Sequence, residues 1–156
     1  MRTISLLLFV GLAFTLSAVA QPSVPKEVQK AFQAKFSKAS DVKWDKENDS
    51  EFEAEFMMND VEMSANFSAK GVWIETETEI AIAKLPAAIT QRLAKDFKGY
   101  AVKEAASVEK PGKDMTYEVE VRKGEKTIEV LLSKDGKVLE KKEVKAEEND
   151  RDEDND

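Results

Sequence analysis

A chain of 156 residues, 42% of them hydrophobic, has enough apolar material for one domain or two very small ones. It contains no histidine and no cysteine, which removes imidazole acid–base catalysis, Ser-His-Asp triads, thiol nucleophiles, His- or Cys-ligated zinc and disulfide staples. The net charge is −7, from 31 acids and 24 scattered bases, which excludes a nucleic-acid interface built on clustered Lys and Arg.

The chain opens MRTISLLLFVGLAFTLSAVA. Arg2, an apolar run from Ile4 to Leu16 and the small-x-small triplet Ala18-Val19-Ala20 are the three regions of a secretory signal. The run is shorter than the roughly 20 residues that span a bilayer. The expectation is a signal peptide at residues 1–20, cleaved near Ala20, and a periplasmic or secreted mature protein with no membrane span.

A helix is expected from Pro25, with Val28, Phe32 and Phe36 forming one apolar stripe. Strands follow around Trp44 and over Phe52 to Phe56, where Phe52, Ala54 and Phe56 alternate with Glu51, Glu53 and Glu55. Another covers Val61 to Phe67, after a turn at Met58-Asn59-Asp60, and a further one follows the hairpin turn Ala69-Lys70-Gly71. A second helix begins at Pro86, with the stripe Ile89, Leu93, Phe97 and a stop at Gly99. Strands then cover Val102 to Val108, Tyr117 to Val121 and Lys126 to Leu132, before the hairpin turn Lys134-Asp135-Gly136 and a final strand. Residues 145–156 hold seven acids, two bases and almost nothing apolar, and are expected to be a disordered acidic tail.

The order of these elements is written twice. FSAKGVWIE (residues 67–75) returns as LSKDGKVLE (residues 132–140), FEAEF as YEVEV, and Val24-Pro25 as Leu85-Pro86. The offset lengthens once, and the loop Lys110 to Asp114 is the natural place for the insertion. The expected fold is α+β: two tandem helix-plus-four-strand modules, residues 24–82 and 85–144, sharing one antiparallel sheet with the helices on one face.

The helix starts at Val24-Pro25 and Leu85-Pro86, the triplet Val42-Lys43-Trp44 and the run Gly71 to Glu77 resemble the PepSY-like family of exported bacterial proteins, related in fold to β-lactamase inhibitory protein. The resemblance spans about Val24 to Val144, within an expected domain at residues 21–144. It implies a concave sheet face opposite the helices, the face with which the inhibitor clasps its enzyme. No contact loop of the inhibitor is matched, so no inhibitory residue is carried over.

Alternation places Glu51, Glu53, Glu55, Glu62, Glu118, Glu120 and Glu129 on the face opposite the helices, where a solvated acidic surface is the plain expectation. On the strand after Gly71, one parity holds Ile74, Thr76, Thr78 and Ile80, and the other Trp73, Glu75, Glu77 and Glu79. Trp73 then has two readings, packing in the core or standing as an aromatic anchor among carboxylates. The candidate partner-binding set is Trp73, Glu53, Glu55, Glu75, Glu77, Glu118 and Glu120. It suits an exported protein with a basic patch. No catalytic residue, cofactor or metal site is assigned, and the chain is read as a non-enzymatic binding module. The alternative is an acidic calcium-responsive or envelope-associated protein with weak divalent cation binding. The stretch Asp45 to Glu51 has alternating acids but lacks the glycine and the final glutamate of an EF-hand loop.

Overall fold

The computed structural model describes residues 22–145, so the expected signal, and the expected tail beyond Lys145, lie outside the described residues. The elements are α1 (Lys26–Lys35), β1 (Ser40–Asn48), β2 (Glu51–Met58), β3 (Val61–Ser68), β4 (Trp73–Glu79), a 3-10 turn (Ile82–Lys84), α2 (Ala87–Asp96), β5 (Ala101–Glu109), β6 (Thr116–Lys123), β7 (Lys126–Ser133) and β8 (Val138–Lys145). The strands form one antiparallel eight-stranded sheet in chain order, β1 to β8. The chain falls into two compact units, the first ending at Glu75 and the second beginning at Thr76. Among the described residues, no helix is long and apolar enough to cross a membrane.

In the first unit, Pro25 precedes α1 as its N-cap, and its carbonyl accepts the first helical hydrogen bond from Gln29 N at 3.1 Å. The stripe Val28, Phe32, Phe36 is buried against Phe52, Ala54 and Phe56 of β2 and Met63, Ala65 and Phe67 of β3. Aromatic rings fill this core. Phe32 lies 5.1 Å from Phe56, 5.2 Å from Trp44 and 5.4 Å from Phe36, centroid to centroid. The β2–β3 register runs without a break from Glu51↔Ser68 to Met58↔Val61. Asn59 and Asp60 between them both take positive φ, which gives a two-residue hairpin of the primed kind.

In the second unit, α2 buries Leu85, Ile89, Leu93 and Phe97 against Ala105, Val119, Val121, Val130 and Leu132. The registers repeat those of the first unit: Val119↔Val130 and Val121↔Ile128 stand where Ala54↔Ala65 and Phe56↔Met63 stand. Leu93, Val121 and Leu132 stand where the first unit has the rings of Phe32, Phe56 and Phe67.

The recurring serine-to-glycine turn has a packing reason in each unit. Gly71, at φ +76°, lies so close to the start of α1 that a Cβ there would sit 2.6 Å from Glu27 O. Gly136, at φ +82°, meets Ala88 O of α2 at the same 2.6 Å. Only glycine combines that backbone conformation with that approach.

Candidate functional site

The candidate site is the face of each unit that its own helix leaves uncovered. In the first unit, β1–β3 pairing sets Asp45, Glu53 and Asn66 in one cross-strand row and Lys43, Glu55 and Ser64 in the next. The pleat requires this, because Phe52, Ala54, Phe56 and Met63, Ala65, Phe67 take the helix side. The centre of the face is shielded: Glu53, Ser64 and Asn66 are buried, while Glu51 and Glu55 are partly exposed and Asp45 is exposed. Burial pushes the Glu53 carboxyl up to about 8, and the hydrogen bond and charge of Glu47 add to the rise. The Ser64 hydroxyl beside it offsets part of this, and Glu55 adds a smaller repulsion. Glu53 Oε1 is buried without a hydrogen-bond partner among the described residues. Glu55 is also raised, by burial first and then by Asp45, with Lys43 opposing.

In the second unit, the corresponding face carries a row across four strands: Glu104, Glu120, Glu129 and Lys142. Ala106, Glu118, Leu131 and Glu140 form the next row. Burial raises Glu129 to about 7; Lys142 opposes the rise and Glu120 adds to it. Glu129 Oε2 has no hydrogen-bond partner among the described residues. Glu118 and Glu120 are partly exposed.

The expected solvated acidic surface is therefore corrected. Glu53, Glu75, Glu77 and Glu129 are only 5%, 5%, 3% and 6% exposed. Of the candidate set, Glu55, Glu118 and Glu120 retain accessible carboxylates. For Trp73, the structure agrees with the core reading of the two. Trp73 packs against the Val28–Phe32–Phe36 core, with Lys35 Nζ of α1 3.5 Å above its ring. Strict alternation fails here for a reason visible in the second unit. There the β7–β8 register slips between Leu132↔Val138 and Leu131↔Glu140. Val138 packs on the core, Leu139 is extra, and Glu140 falls on the other face. Trp73 holds the place of Val138 in the repeated phrase and, like it, packs inward.

Sequence reasoning passed over Ser64 and Asn66. Their signal was available, since each alternates with a core residue of β3 on a strand next to Glu53. The stretch Asp45 to Glu51 is a hairpin, with β1 running to Asn48, β2 starting at Glu51 and Lys46 paired with Asp49 at 2.8 Å. No group of three or more acids is gathered as cation ligands among the described residues.

Helix-backed antiparallel strands with carboxylates on the uncovered face define the class as an α+β fold. The chain matches the family described as "Putative beta-lactamase-inhibitor-like, PepSY-like" over residues 14–65 and again over residues 50–140, and it belongs to that PepSY-like family. Among solved structures it is similar to a "putative periplasmic" protein from Bacteroides eggerthii DSM 20697, at TM-score 0.72 and 21% identity, covering 80% of this chain and 91% of that one. It is also similar to a DUF2874 family protein from Bacteroides ovatus ATCC 8483, at TM-score 0.70 and 21% identity over 79% and 89%. A "BLIP-like protein" from Bacteroides fragilis NCTC 9343 aligns at TM-score 0.67 and 22% identity, over 83% and 93%. At these identities the likeness is one of fold. No curated protein matches the chain.

Proposed function

We propose that this protein is an exported, non-enzymatic binding module made of two copies of one helix-plus-four-strand unit that share the sheet, and that it engages a protein partner through the uncovered sheet faces. The observation that carries this reading is the layering of those faces. Accessible carboxylates at Glu55, Glu118 and Glu120 stand beside buried polar groups, where a merely solvated sheet needs no buried polar layer. Membership of a β-lactamase-inhibitor-like family supports binding over catalysis. The description of a fold relative as periplasmic, and the opening residues, support export. The contact groups are Glu55 in the first unit and Glu118 and Glu120 in the second, with Glu53, Glu75 and Glu77 beneath the surface. A partner with a basic patch fits them.

Site-specific photo-crosslinking tests the reading. A crosslinker at position 55 or 120 is expected to yield a defined protein adduct in the exporting cell, and one at the exposed helix positions Gln33 or Gln91 is not. Adducts from the helix positions alone would overturn it.

A further inference from the structure

The two units differ in how they fill the space between helix and sheet. In the first, Phe32 meets the rings of both Phe56 and Trp44 there, with centroids 5.1 and 5.2 Å from its own. Their positions in the second unit belong to Leu93, Val121 and Ala105, by helix stripe and by strand register. Leu93 and Val121, standing where the first unit has Phe32 and Phe56, help wall a cavity of about 230 Å³ together with Ile82, Leu85, Phe97 and Val102. Thr90 and Tyr100 also line it, and no acid or base does. Thr90 is exposed and its hydroxyl already donates to Ala87 O at 2.9 Å. Ile82 is 40% exposed, so the wall is apolar where it meets solvent.

From this geometry we infer that the second unit binds a small, neutral aromatic molecule of bicyclic size in the cavity. Three arguments lead there. An enclosed apolar cavity of about 150 Å³ lined by Leu, Ile and Phe accepts benzene, so this open-mouthed one of about 230 Å³ and similar lining has room for a larger ring system. The absence of a charged wall selects against ions, because a buried charge needs a partner. The first unit shows that rings fit between such a helix and such strands, since it places the phenyl rings of Phe32 and Phe56 where the cavity has Leu93 and Val121. Phe97 and Tyr100, in edge contact at 5.9 Å, give the entering ring an aromatic surface to pack on. The inference is independent of the proposed protein partner, because this cavity lies on the helix side of the sheet.

Indole is the probe. Titrated into the full chain labelled at its methyl groups, it is expected to shift the Leu93, Val102 and Val121 signals saturably, with a Kd on the order of 0.1–1 mM. Val121→Phe restores the ring that Phe56 provides in the first unit, and should abolish these shifts. Thr90→Phe plugs the mouth from an exposed helix position, should do the same, and serves if Val121→Phe does not fold. A capped tryptophan peptide should bind at least about tenfold more weakly than indole. Absence of saturable shifts in the folded wild type, or unchanged shifts in a folded plugged variant, would overturn the site. Tighter binding of the peptide would overturn the assignment to a free molecule and make the cavity a seat for a partner's side chain.

Discussion

A carboxyl group that is 5% exposed, with one oxygen lacking a donor, is most stable when it keeps its proton. Glu53 therefore holds its proton to about pH 8 in the folded chain, against an ordinary value of 4.5. Between those values the folded state binds more protons than the unfolded state. The stability linked to Glu53 is thus complete below about pH 4.5 and is lost as pH rises toward 8. Glu53→Gln removes the titration and keeps the shape. It is expected to flatten the dependence of Tm on pH over this window and to stabilise the protein above it by roughly 2–4 kcal/mol. A variant whose Tm–pH curve runs parallel to the wild type would show that Glu53 is ionised in the fold. Glu129→Gln should act the same way with a smaller amplitude, since Glu129 rises only to about 7. The sequence disclosed which face these residues occupy, through alternation with Phe52 and Val130. It did not disclose their burial, because alternation sets the side of a strand and not what shields that side.

At the level of elements, the strands were legible because each alternates apolar and polar residues, and the helices because their stripes recur at every fourth residue. Slips of register were not. A one-residue bulge, such as that at Leu139 in β8, leaves no mark in the alternation until the partner strand is known, and alternation alone therefore left both readings of Trp73 open. The helix stripes make a direct prediction. Phe32→Ala is expected to cost about 3–5 kcal/mol in urea unfolding, because Phe56, Trp44, Phe36 and Phe67 all surround its ring. A loss below about 1 kcal/mol would mean α1 does not pack on its strands. The hairpin glycines make a second. Gly71→Ala meets both a positive φ and the Glu27 carbonyl, whereas Gly112→Ala, at φ +62°, has nothing within 4 Å. Gly112→Ala should cost about 1 kcal/mol and Gly71→Ala distinctly more, with the difference measuring the approach of turn to helix. Equal losses would leave the approach without energetic weight.

At the level of the whole molecule, the formal charge of −7 overstates what a partner meets near neutral pH, because Glu53 and Glu129 titrate there. Association through Glu55 and Glu120 should still weaken with salt. Glu55→Lys and Glu120→Lys should slow it at low ionic strength more than at high. A rate insensitive to both would place the contact elsewhere. The fold class was legible on this scale because a duplicated pattern carries its evidence twice; the second unit's cavity was not, because leucine and valine for phenylalanine are all apolar and leave the pattern intact. The glycine turns also bear on the time course of folding. Each helix opens its half of the repeated pattern, and its first turn is met by the last hairpin of that half. The helix therefore reaches its final seat only after the chain has closed its longest loop, an entropic cost that is met late. Gly71→Ala should accordingly steepen the loss on the unfolding side of a stopped-flow chevron while leaving the refolding rate nearly unchanged. In that picture the helix is a late arrival on strands already paired, and the turn glycine governs how long it stays.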